Sequence, residues 1–260
     1  MKILFLGDVV AKSGREAVIR NLSNMKAETG ADFVIVNGEN AAHGKGITAS
    51  IYSRLTSAGA DVVTLGNHAF SKKEIIENMD LCPRLVRPAN IEPADAGTPF
   101  VVAECGGKRI AVVSVMCEAF MMPVTMPPYE AMSGLLPEID ADLIIVDLHG
   151  ESTGEKMMFA RVFADRVTAV IGTHTHVQTA DEQIIDGCAF ITDVGMCGPF
   201  NSVLGRDTDE VISRYVYKKP SRYTPAAGPS LICGCLIETD EKTNRAIRIV
   251  RMQKRPRQSD

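Results

Sequence analysis

Five short apolar runs constrain the fold of this 260-residue chain more than any other feature: Ile3–Leu6, Phe33–Val36, Val62–Leu65, Leu143–Val146 and Val167–Ile171. They are rich in Val and Ile and nearly continuous rather than alternating, the pattern of strands buried on both faces beneath covering helices. Helical spacing lies between them. Val18, Leu22 and Met25 repeat at i, i+4, i+7, and so do Ile51, Leu55 and Ala58. Ser13-x-x-Glu16, Ser71-x-x-Glu74 and Ser152-x-x-Glu155 predict helix starts closed by a capping box. Strand, polar loop and capped helix in repetition is the order of an α/β fold. Two hairpins depart from it: Phe100–Ala103 with Ile110–Val115 around Gly106-Gly107, and Leu231–Ile237 with Ala246–Met252. The expectation is one domain with two sheets over residues 1–253, a crossover loop at 120–137 and a frayed tail at 254–260. Residues 207–228 read as a short helix continuing into a protruding arm.

Composition narrows the function. At 45% hydrophobic residues the chain can bury a large core without disulfide or metal staples. With 32 acidic against 28 basic residues and a net charge of -4, it has no general nucleic-acid-binding character. The basic run Arg245, Arg248, Arg251, Lys254, Arg255 and Arg257 reads as a charged edge strand that resists aggregation, with an RNA patch as the lesser alternative. Tyr215, Tyr217 and Tyr223 suggest an oligomer contact, hence a homo-oligomer. Met121, Met122 and Met126 read as adaptable packing or a flexible loop wall. Seven Cys without a Cys-x-x-Cys pair argue against a zinc ribbon or redox pair and suit a reducing compartment. The first apolar run is cut by Gly7-Asp8, too early for a signal segment, and no apolar stretch approaches 18 residues. A soluble, cytoplasmic protein with no membrane partner is expected. Neither a Gly-x-Ser-x-Gly elbow nor a Gly-x-Gly-x-x-Gly fingerprint occurs, and Gly44-Lys45-Gly46 lacks the register of a P-loop.

The polar residues just past the five buried runs carry the chemistry. The runs are followed by Gly7-Asp8, Asn37-Gly38-Glu39-Asn40, Gly66-Asn67-His68, Asp147-Leu148-His149-Gly150 and Gly172-Thr173-His174-Thr175-His176. Functional groups of open α/β sheets collect beyond the carboxyl ends of the strands. Four of the five His lie at such ends, and the fifth, His43, lies in the second loop. Oxygen and imidazole donors without thiolate suit Fe, Mn, Zn or Co. Asp8, Glu39, Asn40, Asn67, His149, His174 and His176 are too many for one tetrahedral ion but enough for two sharing a carboxylate. Two ions about 3.5–4 Å apart clamp an in-line displacement at phosphorus. Since only two of these ligands are anionic, two divalent ions would leave roughly +2 of charge for a phosphate ester before hydroxide binds.

These motifs resemble, in order and spacing over about residues 1–200, those of the calcineurin-like metallophosphoesterases. Asn37-Gly38-Glu39-Asn40-Ala41-Ala42-His43-Gly44 and Thr192-Asp193-Val194-Gly195-Met196, followed by Gly198-Pro199, resemble the YmdB-like branch in particular, bacterial phosphodiesterases acting on cyclic nucleotides. Two positions depart from the wider superfamily. Val10 stands where a His ligand is usual, and Glu39 stands where a bridging Asp is usual; the branch shares both changes.

The resemblance implies a two-sheet α/β/β/α sandwich of the metallophosphoesterase type. It implies two transition-metal ions per chain, divalent or mixed-valence, Fe or Mn before Zn or Co. One ion would take Asp8, Glu39, Asn40 and His176, and the other Glu39, Asn67, His149 and His174. A metal-bridging hydroxide would attack small phosphodiesters, 2′,3′-cyclic nucleotides in the first place. His68 would be the catalytic proton donor to the leaving oxygen or steady the phosphoryl charge, a role its near-neutral titration allows. His43 is a candidate substrate contact. A phosphomonoesterase of the same fold, or a non-catalytic regulator binding metal or RNA, are the rival readings.

Overall fold

A computed structural model of the chain describes residues 1–256. In chain order it contains β1 (Lys2–Leu6), β2 (Asp8–Val9), α1 (Ala11–Thr29), β3 (Phe33–Asn37), α2 (Ala49–Ser57), β4 (Val62–Thr64), α3 (Lys73–Glu77) and β5 (Leu85–Val86). There follow β6 (Phe100–Cys105), β7 (Lys108–Met116), α4 (Pro128–Leu135), β8 (Leu143–His149), α5 (Thr153–Phe163), β9 (Ala169–Thr173), β10 (Gln183–Ile185) and β11 (Cys188–Ile191). The chain closes with β12 (Met196–Pro199), α6 (Thr208–Tyr215), β13 (Ser230–Thr239) and β14 (Ala246–Lys254).

The strands form an eight-stranded sheet, in the order β2-β12-β13-β1-β3-β4-β5 with β14 on β13, and a six-stranded sheet, β10-β11-β9-β8-β7-β6. The runs β1-β3-β4-β5 and β7-β8-β9-β11 are parallel, which is why their sequences are apolar throughout. Alternate residues of β1 and β3 go to different cores. Ile3, Phe5, Phe33 and Ile35 meet Ile110, Val112, Ile145 and Ile171 between the sheets. Leu4, Leu6, Val34 and Val36 pack outward on Val18, Leu22 and Met25 of α1 and Leu55 of α2. Val113, Val146 and Leu148 pack on Phe159 and Phe163 of α5 and Met132 of α4. The result is the expected α/β/β/α sandwich.

Both hairpins form where the sequence places them. The capping boxes fare worse. Only Ser152 is an N-cap, accepting from Glu155 N at 3.4 Å. Helix α1 starts at Ala11 behind Val10, so Ser13 is already inside the first turn, and Glu16 binds Arg54 at 2.7 Å instead. Helix α3 starts behind Lys72, and Glu74 accepts from the backbone N–H of Ala49. In both cases a tertiary partner has claimed the Glu. The expected 120–137 loop contains α4, capped by Pro at its start. Met121 packs into two of the cores, whereas Met122 and Met126 are exposed.

The expected tail begins too early, because Lys254 still pairs with Ile232; Arg257 and the rest of the tail lie outside the described residues. Strand β14 is an edge strand, and Arg248 and Arg251 on it, with Arg245 just before it, have partners within the chain. The Arg245 guanidinium caps the carbonyls of Ala164, Asp165 and Asp186, Arg248 pairs with Glu238 at 3.0 Å, and Arg251 with Glu182 at 3.4 Å. No helix among the described residues is long and apolar enough to cross a membrane.

Candidate metal centre

The loops after β1, β3, β4, β8 and β9 meet at one edge of the sandwich. Asp8, Glu39 and His149 are fully buried there, and Asn40 nearly so. Two glycines allow the approach. A Cβ on Gly66 would lie 2.3 Å from the His149 ring, and one on Gly172 would lie 1.7 Å from Thr192 O. Backbone then fixes the acids. Glu39 accepts Gly66 N through Oε2 at 2.5 Å and His68 N through Oε1. Asp8 accepts His174 N through Oδ2 at 3.2 Å.

The imidazoles are fixed by acceptors, which also set their tautomers. Asp147, as a carboxylate, accepts from Asn37 Nδ2 at 2.9 Å and from the hydroxyls of Thr64 and Thr173 at 2.5 and 2.6 Å. The Thr173 hydroxyl hydrogen is thereby committed, so its oxygen takes the Nδ1–H of His149 at 2.9 Å. The Nε2 lone pair of His149 is left facing Asn67 Oδ1 at 2.9 Å, His174 Nδ1 at 3.1 Å and Glu39 Oε1 at 3.9 Å. His176 donates Nδ1–H to Leu204 O at 3.0 Å, leaving Nε2 beside Asn40 Nδ2 at 3.1 Å and Asp8 Oδ1 at 3.8 Å. His174 turns Nε2 to Glu151 at 3.4 Å, so its Nδ1 faces the other donors. Both His174 (φ 100°) and His176 (φ 66°) occupy the left-handed half of backbone space, which costs on the order of 1–3 kcal/mol each.

Charge at this edge is unbalanced. Asp8, Glu39 and Asp147 are fully buried, and among the described residues no Lys or Arg pairs with any of them. Burial, then Asp193, pushes Asp8 up to about 7, and burial pushes Asp147 up to about 7 and Glu39 well above the usual range. Burial also pushes His149, His174 and His176 down, so these rings stay neutral. Asp8 Oδ1 has no hydrogen-bond partner among the described residues. No three His, Cys, Asp or Glu side chains among them stand ready to grip an ion, because two of the nearest donors are Asn and the lone pairs lean on one another. An orphaned carboxylate oxygen, opposed lone pairs and uncompensated buried acids fit a cationic occupant.

The donors fall into two groups: His176, Asp8 and Asn40, and His149, His174, Asn67 and Glu39. His68 borders the same cleft of about 450 Å³ with Glu151, Arg206, Tyr215 and Tyr223. Burial, then Lys45, pushes its ring down to about 4, so at neutral pH it is an uncharged N–H donor rather than an imidazolium. His43 is not part of this lining; it is exposed and borders a separate cavity of about 570 Å³ against α1. Tyr215 and Tyr223, expected at an oligomer contact, join hydroxyls at 2.6 Å in the cleft wall, while Tyr217 is exposed.

Sequence reasoning missed the supports. Asp147 and Thr173 belong to quoted motifs but were passed over beside their His neighbours. Asp193 lay in a segment used only for resemblance. It accepts Thr175 N at 2.9 Å and Gly195 N at 2.9 Å and pairs at 3.2 Å with Lys156, a fully buried lysine that also donates to Thr173 O at 2.6 Å. Nothing in the spacing of α5 marks Lys156.

The two-sheet sandwich is that of the calcineurin-like phosphoesterase fold. The calcineurin-like phosphoesterase YfkN of Bacillus subtilis superposes with a TM-score of 0.61 at 12% identity, over 98% of this chain and 90% of that one. The chain belongs to the YmdB-like protein family, which matches residues 4–252. It is 42% identical over 255 residues, 97% of this chain and 96% of the relative, to the 2′,3′-cyclic-nucleotide 2′-phosphodiesterase of Bacillus subtilis (strain 168). The crystal structure of a novel phosphatase of Mycoplasma pneumoniae superposes with a TM-score of 0.92 at 35% identity, covering 98% of this chain and 93% of that one.

Proposed function

We propose that this chain is a metal-dependent phosphodiesterase of small phosphodiesters, with 2′,3′-cyclic nucleotides as its substrate class. The observation that carries the metal half of the reading is the pair of fully buried acids Asp8 and Glu39, without a Lys or Arg partner, facing the neutral imidazole lone pairs of His176 and His149. The substrate half rests on the likeness to the Bacillus subtilis enzyme. Asp8, Glu39, Asn40 and His176 would hold one ion, and Glu39, Asn67, His149 and His174 a second, with Fe or Mn first in order. When bound, such ions supply positive charge to phosphoryl oxygens and make water acidic enough to ionise near neutral pH.

The residues of the chain do the rest. Thr173 with Asp147, the Leu204 carbonyl and Glu151 hold the three rings in the ligating tautomer. His68, with its backbone N–H held by Glu39, presents a neutral ring as hydrogen-bond donor to the leaving or phosphoryl oxygen. Counting Asp147 with Asp8 and Glu39 lowers the charge expected on a site with two divalent ions, before any hydroxide binds, from roughly +2 to roughly +1.

Elemental analysis of the purified protein, coupled to turnover of 2′,3′-cyclic AMP and of 3′-AMP, tests the reading. About two transition-metal ions per chain are expected, as two-metal sites require. Turnover of the cyclic diester should exceed that of the monoester, vanish on chelation and return with Mn or Fe. Full turnover by metal-free protein would sink the metal assignment, and a faster monoester would sink the diester one.

A further inference from the structure

The wall of the cleft differs in character from its floor. Asn40, Asn67, His174 and His176 form a polar floor, whereas residues 203–223 supply Val203, Leu204, Val211, Tyr215 and Tyr223 on one side. A cleft lined by polar groups from the metal-centre loops and by largely apolar ones from 203–223 suits a ligand with an anionic part and a flat, apolar part. Its volume of about 450 Å³ lies within the range of small-molecule sites.

This wall is tied to the floor and its loop at two points. Leu204 O accepts the His176 ring N–H. Arg206 donates to Tyr223 O at 2.9 Å and to Gly44 O at 3.3 Å, bridging the wall to the loop that carries Glu39 and Asn40. Gly44, at φ 81°, leaves room for it, since a Cβ there would stand 3.0 Å from Arg206 Nη1. Within the wall, Tyr223 carries the Arg214 guanidinium at 4.8 Å from its ring centre and bonds the Tyr215 hydroxyl at 2.6 Å. Tyr215 is 59% exposed. An exposed aromatic ring held still by its hydroxyl has little use in packing, but its orientation is set before any ligand arrives.

Resting on the phosphodiesterase reading, we infer that Tyr215 is the platform on which the nucleobase of the substrate stacks, with Tyr223 as the positioning residue that holds its ring. The phosphate goes to the floor and the base to the wall. Stacking a base on an aromatic side chain is worth about fivefold or more in affinity. The wild-type protein should therefore prefer 2′,3′-cyclic AMP to methyl riboside 2′,3′-cyclic phosphate, which lacks a base, by about fivefold or more in kcat/KM, mainly through KM. Tyr215→Ala should bring that ratio to within about twofold of one, whereas Tyr215→Phe should keep most of it. Adenosine, which has no phosphate, should show saturation-transfer NMR contact with the wild-type protein and not with Tyr215→Ala. A wild-type ratio near one, or a ratio unmoved in Tyr215→Ala, overturns the inference. If neither cyclic phosphate is cleaved, the phosphodiesterase reading fails, and adenosine contact with wild type and Tyr215→Ala still decides whether a base subsite exists.

Discussion

The two sheets feed the site from opposite chemical sides. The eight-stranded sheet contributes only side chains with oxygen donors, Asp8, Glu39, Asn40 and Asn67, while the six-stranded sheet contributes only imidazoles, His149, His174 and His176. Their supports are opposite too. The acids are held by backbone N–H groups, those of Gly66, His68 and His174. The imidazoles are held by acceptors, the Thr173 hydroxyl, the Leu204 carbonyl and Glu151. Among the ligands, charge thus sits on one edge and neutral lone pairs on the other, with Asp147 beneath the imidazoles as their support. A cation between them would be bound by both, and damage to either edge should leave a different signature.

The largest effect is expected beneath the imidazole edge. Lys156→Met leaves Asp193 buried without its cation, and breaking a buried pair from one side costs about 3–5 kcal/mol. Because Lys156 also holds Thr173 O, the turn bearing His174 and His176 should loosen at the same time. Thermal unfolding should show a Tm lowered by several degrees, with much of the loss recovered in Lys156→Met/Asp193→Asn. A single variant as stable as the parent would break the assignment of Lys156 as a support.

Glu39→Gln strikes the acid edge. Both carboxylate oxygens accept a backbone N–H, so the amide must turn its NH2 against one of them. The substitution is near-isosteric in shape but not in hydrogen bonding. Turnover should fall by at least about 10²-fold, the upper end of what an outer-shell partner costs, with lost metal content measured on the same samples. Thr173→Val should be milder, about 10–100-fold in metal affinity, because it frees the His149 tautomer without removing a donor. If Thr173→Val costs more than Glu39→Gln, the ranking of the two edges is reversed.

The floor of the site was legible because its information is local. Each donor follows an apolar run by two to five residues, and parallel strands of a sandwich bring their carboxyl ends to one edge. The supports were not legible because their partners are remote in sequence. Asn37 and Thr64 reach Asp147 across 110 and 83 residues, and Lys156 reaches Asp193 from a helix whose pattern shows only packing. The wall at 203–223 was not legible for the same reason. Three tyrosines look alike in sequence, and their 2.6 Å contact and place in the cleft lining separate two of them from Tyr217. Short strands such as β5 and β10–β12 lack the length to show a period at all.

The smallest expected effect concerns a signature that occurs three times and works once. Ser152, Ser71 and Ser13 each precede a Glu by three residues, yet only Ser152 Oγ meets its helix N–H. Removing an N-cap hydroxyl costs about 1 kcal/mol, so Ser152→Ala should lower the stability of α5, and of Lys156 on it, by that order. Ser13 is the control. Its hydroxyl is buried in the first turn of α1 and has no partner among the described residues, and Ala is the better helix former. Ser13→Ala should therefore be neutral or stabilising, because it removes an unsatisfied polar atom. Paired urea denaturation of the two variants measures the difference. Equal losses would mean that the hydroxyl at 13 caps its helix in solution after all.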